Sequence, residues 1–125
     1  MLGDIDALAT IAVKDVTVAR KFYEGTLGLE PVPTGEHGVL GFKSGSSSLL
    51  VYQSQYAGTN KATAATWVVG DALKAIVRAL KAKGVAFERY DLPNTEHEGD
   101  VHVTGRTRVA WFKDPDGNIL SIVNG

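Results

Sequence analysis

Val109-Ala110-Trp111-Phe112-Lys113-Asp114-Pro115-Asp116-Gly117-Asn118-Ile119-Leu120-Ser121-Ile122-Val123 decides how the rest of the chain is read. Two apolar runs rich in aromatic and β-branched residues flank Asp-Pro-Asp-Gly-Asn. Pro115 presets φ for the first corner of a turn, Gly117 supplies a positive φ, and Asp116 and Asn118 are suited to bonding the local backbone. This pattern predicts two antiparallel strands joined by a tight hairpin. The second strand is apolar nearly throughout, so it needs a preformed sheet to join.

Upstream, residues 8–13 are small and apolar and suit a strand. Asp15 is placed to cap a helix over 16–27, with Val18 (or Ala19), Phe22 and Leu27 as its apolar face and Gly28 as its stop. Strands are expected over 29–32, 38–43 and 48–53, followed by a linker over 54–61. The pattern then returns: a strand over 66–71 runs into Asp71 as a helix cap, and Leu73, Ile76, Val77 and Leu80 form a helical stripe. Gly84 stops that helix, and 85–90 reads as another strand. Val13-x-Asp15 matches Val69-x-Asp71, and Gly28-Leu29 matches Gly84-Val85, all at an offset of 56. Matching landmarks at a fixed offset indicate an internal duplication, with each half read as β-α-β-β-β. The helix covers one face of each sheet, and the other face must close against its counterpart or a second chain.

The chain's 125 residues are enough for one domain with a buried core, and 44% hydrophobic with 22% charged residues is an ordinary globular balance. A net charge of −1 gives no footprint for nucleic acid or an anionic membrane. The absence of cysteine excludes disulfides, thiolate nucleophiles and cysteine metal ligands. The N-terminal residues lack the basic start and apolar core of a signal peptide, and no apolar run is long enough to span a bilayer. A cytoplasmic location is the expectation.

Ile11-Ala12-Val13-Lys14-Asp15 with Phe22-Tyr23 and Leu27-Gly28-Leu29, then Val69-Gly70-Asp71 with Gly84-Val85, and finally Phe112-Lys113-Asp114-Pro115-Asp116-Gly117-Asn118, together resemble the vicinal-oxygen-chelate superfamily of glyoxalase I, extradiol dioxygenases and bleomycin-resistance proteins. The resemblance implies a single α+β domain over 1–125. Two βαβββ modules, about 5–57 and 63–125, would form a U-shaped mixed sheet around a concave cavity. In the enzymes of that family a divalent metal sits in the cavity on His, Glu or Gln ligands. The corresponding positions here are Leu8, Ala64 and Ser121, with a further ligand expected around 50–52. Leu and Ala offer no donor atom and a neutral Ser hydroxyl is a poor one. No metal or other cofactor is therefore expected, and with the Lewis acid goes the shared chemistry of these enzymes. A metal-independent, partly apolar pocket remains, as in the family's drug-sequestering members.

Strand alternation assigns the pocket wall. Val13, Val69 and Phe112 are expected on the helix side, with Trp67. Thr10, Ala12, Thr66, Val68, Val109 and Trp111 are expected to face the cavity, and Ser121 to inherit the inward direction of the former ligand. Tyr52 joins the wall as an aromatic of unfixed parity, and His102 as an acid/base with a pKa near neutrality. Trp111 is also compatible with a core or dimer-interface role. The dense cluster Glu96-His97-Glu98-Gly99-Asp100-Val101-His102 reads as a solvated loop, the alternative being a metal site in which Glu98, Asp100 and His102 alternate onto one strand face. Lys74, Arg78 and Lys81 read as a solvated helix face, and the glycines and serines of 35–48 form neither a phosphate loop nor a nucleophile elbow. The expected function is binding of a small planar or aromatic ligand by a homodimer, without nucleic acid or membrane. The alternatives are a glyoxalase- or dioxygenase-like enzyme with a non-standard metal site, a metal-free isomerase, or an interaction module filled by its partner chain.

Overall fold

The computed structural model describes residues 1–125, which divide into two compact units, Met1–Thr59 and Asn60–Gly125. In the first, β1 (Ala9–Val13) leads into α1 (Val16–Arg20), followed by a wide π-type turn over Lys21–Thr26. Strands β2 (Glu30–Val32), β3 (Val39–Ser44) and β4 (Ser47–Gln53) complete a sheet ordered β1-β4-β3-β2, with β1 parallel to β4 and the other pairs antiparallel. Asp15 caps α1 by accepting the Thr17 N–H at 2.8 Å. Gly28 ends the turn with φ 76°, while the Gly28 and Leu29 amides donate back to Glu24 and Tyr23.

The buried helical residues are Ala19, the alternative to the exposed Val18, and Tyr23 in place of the half-buried Phe22. The i, i+4 spacing holds, displaced by one position. Tyr23 lies on Phe42, ring centroids 6.0 Å apart, within a core that includes Ile11, Val13, Leu49 and Val51. Each such side chain contributes about 1.5–3 kcal/mol on burial.

The second unit contains β5 (Thr63–Val68), a 3₁₀ turn over Gly70–Ala72, α2 (Leu73–Ala82), β6 (Phe87–Glu88), β7 (Glu96–Glu98), β8 (Val101–Thr104), β9 (Thr107–Lys113) and β10 (Ile119–Val123). Its sheet runs β5-β10-β9-β8-β7, with β6 also paired to β9 and β5 parallel to β10. The connectivity β5-α2-β6-β9-β10 repeats that of β1-α1-β2-β3-β4, and Gly84 has φ 91° where Gly28 has 76°. Both units are therefore βαβββ frames in an α+β fold.

Three local expectations change. Residues 85–90 give only the two-residue β6. Asp71 makes no cap hydrogen bond, because it sits inside the 3₁₀ turn rather than before the helix. The Glu96–His102 segment is not a loop but the hairpin β7–β8 inserted into the second frame, turning at Gly99 (φ 63°) and Asp100. That turn interrupts the strand, so Glu98, Asp100 and His102 do not alternate along one face.

The β9–β10 turn is held from within. Asp114, 5% exposed, accepts the Asp116 and Asn118 amides on Oδ1 at 2.9 and 2.8 Å and the Asn118 side-chain amide on Oδ2 at 2.8 Å. Gly117 (φ 86°) donates its N–H to the Asp114 carbonyl. Asp114, rather than Asp116 or Asn118, is the acceptor that folds the turn.

Candidate functional site: the polar-aromatic face of the second sheet

Register fixes which side chains share a face. Leu120 pairs with Phe112 and Ala65, and Ile122 with Ala110 and Trp67. On this side Ala110, Phe112, Leu120 and Ile122 are buried, while Trp67 is half-buried. On the opposite face one row runs Val68–Val123–Val109–His102–His97 across all five strands. A second runs Thr66–Ser121–Trp111–Glu88. Thus Thr66, Val68, Val109, Trp111, Ser121 and His102 occupy one face of one sheet. Val68 is 71% exposed, whereas His102 is fully buried.

Thr10 and Tyr52 belong to the first unit. Tyr52 pairs with Ala12 and Thr10 with Leu50, on the face opposite Ile11, Val13 and Val51. This pairing supplies the parity of Tyr52 that its own strand left open.

Much of the polarity on the second unit's face is satisfied internally. Thr66 and Ser121 hydroxyls bond each other at 2.7 Å. Trp111 donates its indole N–H to Thr63 Oγ1 at 3.1 Å. Thr63 reaches Trp111 because β5 carries a register irregularity at its start: Thr63 pairs with Ile119 and Ala65 with Leu120, leaving Ala64 as the extra residue.

At the far side of Trp111 lies an aromatic cluster. His102 stands edge-on to Trp111 at 4.8 Å and to His97 at 4.6 Å, and Tyr90 meets Trp111 at 5.3 Å. The Tyr90 peptide N–H donates to His102 Nε2 at 2.8 Å, and His97 Nε2 lies 3.0 Å from the Tyr90 carbonyl oxygen. These bonds assign the hydrogen of neutral His102 to Nδ1 and give His97 the donor role at Nε2. Both imidazoles thereby hold the backbone that follows β6. Burial and then the neighbouring His97 pull the His102 pKa below its ordinary value, favouring the neutral ring. Tyr90 Oη is buried without a hydrogen-bond partner. Such atoms are uncommon and mark places where a further polar atom would be stabilising.

Thr63, Tyr90 and His97 are the members that sequence reading omitted. The signal for His97 was present: a turn at Gly99-Asp100 puts His97 opposite His102. Thr63 depends on the register irregularity, which the sequence pattern does not announce.

The positions at which the resemblance implies metal ligands do not fit a metal. Leu8 precedes β1, Ala64 is the bulged residue, and Ser121 is buried and bonded to Thr66. Nowhere do three His, Asp or Glu side chains converge as a metal-holding group. No helix is long and apolar enough to cross a membrane.

The fold is shared with known structures at low identity. A putative glyoxalase family protein from Bacillus anthracis superposes with a TM-score of 0.69, 19% identity, and coverage of 95% of this chain and 94% of that one. The fosfomycin resistance protein FosX from Listeria monocytogenes gives 0.72 and 15%, covering 96% and 92%. A glyoxalase/dioxygenase from Nostoc punctiforme gives 0.68 and 18%, covering 93% and 87%. No curated protein sequence matches the chain. The family model described as Glyoxalase/Bleomycin resistance protein/Dioxygenase superfamily matches residues 5–122, and the chain belongs to that superfamily.

Proposed function

We propose that this protein binds a small planar or aromatic molecule, without a metal, over the face that carries Trp111. The observation that supports this most is the aromatic cluster of Trp111, His102, His97 and Tyr90 beside the valine row 68–123–109. Flat apolar area with few polar groups suits a ring system. The Trp111 indole N–H is engaged by Thr63, whereas the Thr66–Ser121 pair uses one of its two hydroxyl hydrogens and keeps the other as a polar handle on this face. Thr10 and Tyr52 are proposed as ligand-facing residues of the first unit's own sheet. The role proposed for such a pocket is sequestration of an antibiotic or metabolite by a cytoplasmic homodimer; the structural neighbour FosX is a fosfomycin resistance protein.

A catalytic reading is favoured by one feature, the directly paired imidazoles His97 and His102, and one experiment separates the two. Thermal unfolding and tryptophan fluorescence are followed for chelator-treated protein across a panel of heteroaromatic compounds, then repeated with divalent ions. Stabilisation by a compound in the metal-free protein, lost in Trp111→Ala, supports the binding reading. Stabilisation that requires a divalent ion, or turnover of a panel compound, moves the protein to the enzymes of its family.

A further inference from the structure

The second unit has another concavity, on the opposite side of its sheet. A groove of about 580 Å³ lies between α2 and the β7–β8 turn, lined by Lys74, Val77, Arg78, Glu98, Gly99, Asp100 and Val101. We propose that it is a second binding site, for a small organic anion with an apolar body, specifically an aliphatic or aryl carboxylate. The proposal is independent of the reading given for the Trp111 face.

The helix supplies one wall. Lys74, Val77, Arg78 and Lys81 recur at i, i+3, i+4 and i+7, which places them on one stripe of α2. The hairpin supplies the other. Glu98 pairs with Val101 across β7–β8, so both project to the same side, away from His97 and His102. Val77 and Val101 are buried at the groove and provide its apolar floor. The stripe that reads as a solvated helix face in the sequence is therefore partly engaged by the inserted hairpin.

Charge points to the occupant. Lys81 is matched by Asp100 at 2.6 Å. Glu98 is shared between two cations at longer range, Lys74 at 3.9 Å and Arg108 at 3.5 Å. Arg78 lines the groove with no ion pair, and Arg108 Nε is buried with no hydrogen-bond partner. The charged side chains that line the groove are Lys74 and Arg78 on the helix and Glu98 and Asp100 on the hairpin; Asp100 is engaged by Lys81 and Glu98 by Lys74 and Arg108, so Arg78 is the lining cation left for a ligand. One carboxylate from a ligand would pair with Arg78, with its hydrocarbon on Val77 and Val101 covering the floor. The volume lies within the range of small-molecule sites, about 300–1,000 Å³.

The test uses octanoate, with octanamide and octylammonium as its neutral and cationic counterparts, titrated into the intact chain and followed by amide chemical shifts. Octanoate is expected to shift Lys74, Arg78, Gly99, Asp100 and Val101 saturably, and to bind at least several-fold more tightly than octanamide. Arg78→Gln, at an exposed position with no ion pair to lose, is expected to weaken octanoate by about threefold to tenfold. Inorganic phosphate is the control for charge alone and is expected to bind more weakly than octanoate. Equal binding of octanoate and octanamide overturns the proposal, as does insensitivity to Arg78→Gln or shifts confined to the Trp111 face. Phosphate binding as tightly as octanoate overturns the apolar part of the assignment. Concentration-dependent shifts of these amides without any probe show that a second copy covers the groove, and also overturn it.

Discussion

Replacing Asp114 by Ala removes the acceptor for three hydrogen bonds at one stroke. Two of the donors, the backbone and side-chain amides of Asn118, belong to a residue 5% exposed, so water is poorly placed to replace the carboxylate. The third, the Asp116 amide, is on a half-buried residue and has more access to solvent. A hydrogen bond to a charged group contributes about 1.5–3 kcal/mol, and a stranded buried donor costs about 1–3 kcal/mol. Counting the two Asn118 donors fully and the Asp116 amide little, Asp114→Ala is expected to lose about 3–5 kcal/mol. That is a large share of the roughly 5–15 kcal/mol of a typical domain. Asp114→Asn keeps one acceptor oxygen for the backbone amides but sets its own NH₂ against Asn118 Nδ2, and about 1–3 kcal/mol is the expected loss. Urea unfolding followed by far-ultraviolet circular dichroism and tryptophan fluorescence reads both, with an unchanged m-value required for the comparison. The Asp114→Ala, Asn118→Ala double variant removes one stranded donor and is expected to be less damaged than the sum of its single changes. A loss under about 1 kcal/mol for Asp114→Ala, or simple additivity in the double variant, would refute the reasoning.

The buried His102 sets a pH dependence. Its native pKa lies below the unfolded value near 6.5, so the unfolded chain takes up the extra proton first, and the stability His102 contributes is full above about pH 6.5 and lost as pH falls through the native pKa. His102→Gln retains an acceptor for the Tyr90 amide and is expected to flatten the stability profile between pH 7 and 5 (about that window). An unchanged slope would show that His102 does not carry it. At Gly41 a Cβ would meet Val32 Cγ2 at 2.8 Å and Thr34 Cγ2 at 3.1 Å. Gly41→Ala is therefore expected to lower stability by about 1–3 kcal/mol in thermal or urea unfolding. Gly84→Ala forces a side chain to φ 91° and is expected to cost about 1–2 kcal/mol. Gly25, at negative φ with nothing within 4 Å of an added Cβ, is the control, and Gly25→Ala is expected to stay within about 1 kcal/mol of wild type.

The repeated frame was legible because its signals are local. The Gly28 and Gly84 stops need positive φ, Asp15 caps its helix, and the apolar runs of β9 and β10 flank a turn-forming Asp-Pro-Asp-Gly-Asn. Alternation also divided Trp111 and Val109 from Phe112 and Ala110, since a strand's period is two. What escaped depended on contacts between distant segments. Glu96-His97-Glu98 is polar on both sides, so no apolar period reveals β7; only its pairing with β8 makes it a strand. The Thr63–Trp111 bond depends on one irregular residue in β5, and the role of Tyr90 depends on backbone atoms that carry no side-chain signature. On the first helix the sequence left Val18 and Ala19 as alternatives and named Phe22, whereas Ala19 and the adjacent Tyr23 point inward.

The outer strands β2 and β7 have a consequence for how the protein behaves at high concentration. A sheet margin is a row of unpaired backbone groups that another chain can extend into an aggregate. In β2 the centre of the three-residue margin is Pro31, which has no N–H to offer, preceded by the charged Glu30. In β7 the margin is equally short and carries Glu96 and Glu98 around His97. An incoming strand would find a missing donor at the β2 margin of the first sheet and two carboxylates at the β7 margin of the second, β1 and β5 forming the opposite margins. Both residues that make β7 hard to recognise as a strand also make it a poor template, so the obscurity of this segment and the protection of its margin have one origin.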